Sequence, residues 1–142
     1  MLQKTYTSAG QKVLHIESNI DRSLPYKSWL RTFSNNGMFL DVDMIKWKTL
    51  PDGTLKPVLL TEITTFEGEE KVSQSYLDAI TNRYFVREKQ GAVTGTIGRL
   101  LNIPCYIVFF QKELKWFFVY SFRKKEWREF TKETLMKFIQ QF

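Results

Sequence analysis

The run Cys105-Tyr106-Ile107-Val108-Phe109-Phe110, set off by Pro104, is the feature that most narrows the fold. It is short, wholly apolar and rich in β-branched and aromatic residues, the pattern of a strand buried on both faces. Such a strand needs a layer against each face, and two apolar stripes at helical spacing can supply them. Val72, Tyr76, Leu77, Ile80 and Tyr84 mark a helix running to about Lys89, which Gly91 is expected to interrupt. Val93, Ile97, Leu100 and Leu101 continue a helical stripe, with Gly95 and Gly98 allowing close backbone approach, until Asn102-Ile103-Pro104 ends it. Leu135, Phe138, Ile139 and Phe142 form the stripe of a last helix, capped by Thr131, with Glu133 suiting the dipole near its start.

Three further runs read as strands. Phe39 to Trp47 and Lys56 to Phe66 flank Leu50-Pro51-Asp52-Gly53, whose Pro and Gly suit a tight turn, so the two should form a hairpin; Lys115 to Phe122 should follow the Lys112-Glu113 turn. Nearer the start, apolar residues at 13, 14, 16 and 20 suggest a short helix over Gln11 to Ile20, broken by Pro25 and followed by a turn at Ser34 to Gly37. No repeat or linker divides the chain. The expectation is an α/β (α+β) fold, a mixed central sheet of four to five strands flanked by helices, in one domain over residues 1–142.

Composition removes several function classes. One Cys and one His among 142 residues exclude a disulfide framework and a closed Cys/His zinc site, which needs about four such ligands. The longest apolar run, Ile103 to Phe110, is far shorter than the roughly 18 to 20 residues of a membrane span, and Met1-Leu2-Gln3-Lys4-Thr5 lacks a signal core, so a cytoplasmic protein with no membrane partner is expected. Lys and Arg number 21 against 15 Asp and Glu, a formal charge of +6, which admits a polyanionic partner. A solvated basic surface would produce the same balance.

Three acids sit inside the otherwise apolar hairpin runs: Asp41 and Asp43 in Phe39-Leu40-Asp41-Val42-Asp43-Met44-Ile45, and Glu62 in Leu59-Leu60-Thr61-Glu62-Ile63-Thr64. Period-2 alternation puts Asp41 and Asp43 on one face of their strand, and pairing can bring Glu62 beside Asp43. Carboxylates in a sheet interior are costly unless paired or bound to a cation. Two such groups with the backbone carbonyl of Ile63 would suit Mg²⁺ (or Mn²⁺), which prefers oxygen ligands and keeps waters for a phosphate substrate. Whether Asp41 or Asp43 is the ligand is left open by the alternation, since both face the same way.

In order, Leu24-Pro25, Asp41-Val42-Asp43, Leu59-Leu60-Thr61-Glu62-Ile63-Thr64 and Leu101-Asn102-Ile103-Pro104 before Tyr106 to Phe110 resemble the PD-(D/E)xK nuclease superfamily over roughly residues 20 to 120. The resemblance implies a restriction-endonuclease-like core of a helix, a three-strand meander, a helix and one more strand. It also implies metal-dependent hydrolysis of DNA phosphodiesters, with Asp43 and Glu62 holding the metal and Asp41 supporting. Thr64 stands where the family carries a lysine that positions the attacking water and neutralises the phosphate. Related enzymes recruit another group at this place, and Lys71, Gln74 and Arg83 are the nearby candidates. Glu17 is a further carboxylate that some members would use, weighed against a solvated helix residue.

Arg123, Lys124 and Lys125, with Arg128, form the densest basic cluster, a loop suited either to phosphate or to solvent; with Arg83 they are the nucleic-acid-binding candidates. His15 has no partner motif, Cys105 reads as a core residue, and Gly91, Gly95 and Gly98 lack the strand and Gly-Lys-Ser/Thr of a phosphate loop. The aromatics Trp116, Phe117, Phe118, Tyr120 and Phe122 read as core before base-stacking platforms. Three functions follow: a metal-dependent nuclease, acting on DNA before RNA and alone or as a homodimer; a catalytically inactive nuclease-fold module binding nucleic acid or a protein; and an unrelated interaction domain whose acids form salt bridges with Lys or Arg. A separation of Asp43 and Glu62 beyond about 8 Å, too far for one metal to bridge, would favour the last.

Overall fold

The computed structural model describes residues 4–6, 12–14, 22–32 and 40–142, which fall into two compact units, 1–39 and 40–142. In the first, strands β1 (Lys4–Tyr6) and β2 (Lys12–Leu14) pair antiparallel, and α1 spans Leu24–Arg31. Lys12–Leu14 is thus extended where a helix was expected. Pro25 opens α1 instead of breaking a helix, because its missing N–H belongs to the first turn, where no intrahelical partner exists. His15, Glu17 and the Ser34 to Gly37 turn lie outside the described residues.

The second unit is an α+β fold around a five-stranded mixed sheet in the order β3-β4-β5-β6-β7. β3 (Met44–Thr49) and β4 (Leu55–Phe66) form the expected antiparallel hairpin. Gly53 takes φ +86° in the turn and Asp52 accepts from the Thr54 backbone and hydroxyl. Helix α2 (Gln74–Asn82) runs into a π-helical turn (Arg83–Arg87), α3 (Gln90–Leu101) follows, and the chain re-enters as β5 (Cys105–Gln111), parallel to β4. β6 (Phe117–Ser121) and β7 (Glu126–Phe130) extend the sheet antiparallel, and α4 (Lys132–Gln140) ends it. Two strands, not a three-strand meander, precede the crossover among the described residues of this unit. No helix among the described residues is long and apolar enough to cross a membrane.

β5 carries a core on each face, as its sequence requires. Ile107 and Phe109 pack with Leu77, Ile80, Tyr84 and Trp116 under α2, while Tyr106, Val108 and Phe110 lie with Phe117, Val119, Phe130 and Phe138 under α4. Thr131 caps α4 in a capping box with Thr134. At the other end of α4, Lys46 Nζ donates to the carbonyls of Ile139 and Phe142, both at 2.9 Å, a positive charge at the negative end of the helix.

Three boundaries differ from the sequence expectation. The helical break falls at Glu88-Lys89, after the π turn, and Gly91 lies inside α3. The face α3 buries is Gly91, Thr94 and Gly98, with Leu100 80% exposed; Gly98 lies so close to β5 that a Cβ there would collide with Cys105 Sγ, so small residues, not the large apolar ones, meet the sheet. Glu126–Phe130 is a strand, so Arg128 is not in a loop: its guanidinium lies 4.8 Å from the Phe130 ring centroid.

Candidate metal centre

Parallel register aligns Glu62 with Ile107 and Thr64 with Phe109, which turns both side chains toward the α2–α3 layer. Glu62 is buried to 1% exposure, an acid in the middle of a sheet, and α3 supplies what satisfies it. Gln90 Nε2 donates to Glu62 Oε1 at 2.8 Å, and the buried Thr94 hydroxyl, one helical turn on, donates to the same oxygen. Gln90 also donates to the Asp41 carbonyl at 2.6 Å. No sequence motif singled out Gln90 and Thr94; two polar side chains four residues apart on a face otherwise made of glycine were the available signal.

Asp41 and Asp43 precede β3, which begins at Met44, so alternation within a strand does not set their directions. Asp43 is nevertheless fixed: its Oδ2 accepts from the Ile63 backbone N–H at 2.8 Å, in place of a ladder partner beyond the end of β3. Extending the Met44–Thr61 register by one residue sets Asp43 opposite Glu62. Burial, above all, pushes the Glu62 carboxyl up from its ordinary pKa; the Thr94 and Gln90 bonds oppose this, and the nearby Asp43 adds to it. Neither Asp43 nor Glu62 joins an ion pair with Lys or Arg among the described residues.

Arg83 opens the π turn, and its Nη2 donates to Thr64 Oγ1 at 3.3 Å. π turns realign side chains within a helix and recur at functional sites. The guanidinium also lies 4.9 Å from the Tyr84 ring centroid, and Tyr84 is itself buried and within electrostatic range of Glu62 and Asp43. Of the three cation or amide candidates, Arg83 is therefore the one beside Thr64. Lys71 pairs with Glu129 of β7, in the register row Thr64–Phe109–Phe118–Glu129, three strand spacings or roughly 14 Å away. Gln74 donates to Asp78 on its own helix. Arg123, Lys124 and Lys125 sit in the β6–β7 turn, exposed.

Two carboxylates and one carbonyl are an all-oxygen donor set. Asp43 Oδ1 and Glu62 Oε2 receive no hydrogen bond from any donor among the described residues. In an extended strand the N–H and carbonyl of one residue leave on the same side, so the Ile63 carbonyl points toward Asp43 as well. This set fits a hard divalent cation that retains several waters. No third Asp, Glu, His or Cys joins the cluster among the described residues. Comparison of the chain with protein-family models, with curated proteins and with solved structures finds no match.

Proposed function

We propose that the second unit is a metal-dependent phosphodiester hydrolase acting on DNA, a variant of the restriction-endonuclease-like core with two strands before the crossover. The observation that carries this reading is the buried Glu62 carboxyl set beside Asp43, with the Arg83 guanidinium at the neighbouring Thr64. Asp43, Glu62 and the Ile63 carbonyl would hold Mg²⁺ or Mn²⁺, with Asp41 in support through its carbonyl bond to Gln90. A divalent ion there supplies polarisation of the scissile phosphate and a bound water of lowered pKa.

The chain's own groups have separable tasks. Gln90 and Thr94 orient Glu62 by fixing Oε1, leaving Oε2 toward the cation. Arg83 stands in for the family's lysine by charge, neutralising the phosphate as negative charge develops; guanidinium binds phosphate in a two-pronged geometry. The guanidinium is already protonated and offers only donors, so Arg83 acts as an electrostatic group and not as a base. Lys71 and Gln74 are not part of this assignment.

Labelled single- and double-stranded DNA incubated with Mn²⁺ or Mg²⁺ tests the reading. Cutting that Glu62→Gln abolishes supports it; no cutting of any form under either metal removes the enzymatic claim. The second reading, a catalytically inactive module that binds nucleic acid or a protein, is favoured by the Thr64 substitution itself, since the motif lysine is lost.

A further inference from the structure

A groove of about 990 Å³ runs along α3 on the side away from Glu62, with the β6–β7 turn as its other wall and the start of β5 below. Its helical wall alternates small residues, Gly91, Ala92, Gly95 and Gly98, with the side chains of Thr96 and Arg99. A Cβ at Gly95 would sit 3.7 Å from the Phe122 ring, showing how near the two walls come there. Four cations border the groove, Arg99 from α3 and Arg123, Lys124 and Lys125 from the turn, and no Asp or Glu does. None of the four pairs with a carboxylate among the described residues. The turn is built by Ser121, whose carbonyl and hydroxyl take the backbone N–H groups of Lys125 and Lys124 at 2.8 and 3.0 Å, and Lys125 adopts φ +56°. Three consecutive cations are thereby held on one tight turn.

Phe85 and Phe122, 5.0 Å apart edge to face, also line the groove, Phe85 against Gly91 and Phe122 opposite Gly95. Gly91 follows Gln90 in the chain, and Gln90 on the other face of α3 donates to Glu62. We propose that the groove is a track for a single strand of DNA, its phosphates on Arg99 and the Arg123–Lys125 turn and its bases against Phe85 and Phe122. A duplex offers the cations its phosphates but keeps its base faces stacked inside; only a single strand can use cations and rings together. Gly95 keeps the helical wall low where it faces Phe122 and Arg99. The proposal rests on the hydrolase reading for its choice of DNA, and assigns the form of substrate that reading left open.

Fluorescence anisotropy of a short labelled oligothymidylate, in EDTA so that neither metal nor cutting enters, tests it. The strand should bind about tenfold or more tighter than a duplex of equal length. Arg123→Gln with Lys124→Gln should weaken binding about tenfold and reduce the slope of log affinity against log salt by about 1.4, at roughly 0.7 per lost phosphate contact. Gly95→Leu, whose side chain would press on Phe122 and Arg99 and fill the groove, should weaken binding while the three turn cations stay in place. Duplex bound as tightly as single strand would overturn the proposal, as would wild-type binding by either variant with an unchanged unfolding midpoint. Because cutting is measured separately under Mn²⁺, loss of the hydrolase reading and loss of the track are distinguishable.

Discussion

Arg83 donates to the Thr64 hydroxyl at 3.3 Å, from the first residue of a π turn to the strand position two beyond Glu62. A guanidinium from the helical layer is thus set beside a strand position that carries no charge. Arg83→Ala should lower the rate of DNA cutting by about 10² to 10³, the usual loss when one charge-stabilising donor is removed. Thr64→Lys in the Arg83→Ala background should restore part of it. Single-turnover rates of the two variants check this; an Arg83→Ala enzyme that cuts at the wild-type rate would take the role from Arg83.

Glu62 links stability to pH in a definite direction. Its folded-state pKa is raised above the unfolded value near 4.5, so the folded state holds the proton more tightly. Stability contributed by this group is therefore present at low pH and declines as pH rises from the unfolded pKa through the raised folded one. Glu62→Gln keeps an acceptor for Gln90 and Thr94 and places an N–H₂ beside Asp43, so its unfolding midpoint at pH 7 should exceed the wild type's. Thermal denaturation from pH 4 to 8 should show this difference shrinking toward acid; a difference that grows on acidification would reverse the assigned sign.

A cation bound by Asp43 and Glu62 must stabilise the folded chain by mass action, about 2.7 kcal/mol at a hundred times its dissociation constant. Mn²⁺ should raise the midpoint of the wild type and leave those of Asp43→Asn and Glu62→Gln nearly fixed. Equal upward shifts in all three proteins would locate the binding elsewhere.

Two glycines one turn apart on α3 should respond oppositely to alanine. At Gly95 an added Cβ meets only ordinary contacts, the nearest at 3.6 Å, so Gly95→Ala should stabilise by roughly 0.5 to 1 kcal/mol through helix propensity. At Gly98 it collides with Cys105 Sγ, and overpacking of this kind costs about 1 to 3 kcal/mol. Cys105→Ala should recover much of the Gly98→Ala loss, a coupling that a double-mutant cycle in denaturant measures.

The sheet and its hairpin were legible because their residues answer to nearby, strong constraints: the doubly buried β5, the Pro-Asp-Gly turn, the Thr131 cap. β7 was hidden because an edge strand reading Glu-Trp-Arg-Glu-Phe buries little, and its charges pattern like a loop. The acids were found by their misfit in apolar runs. Their partners Gln90 and Thr94 were not, because what distinguishes them is a distance of 28 and 32 residues closed by the crossover, which no local period encodes. Arg83 was one of three candidates by sequence, and the π turn that aims it has no residue signature of its own.

The pairing of Asp43 with Glu62 as a cation site is tested most directly by crystals soaked in Mn²⁺ and measured for anomalous scattering. The expected result is one peak between the two carboxyls, about 2.1 Å from Asp43 Oδ1 and Glu62 Oε2 and within bonding distance of the Ile63 carbonyl. A map in which Mn²⁺ binds elsewhere, or nowhere while Glu62 keeps its bonds to Gln90 and Thr94, would contradict it.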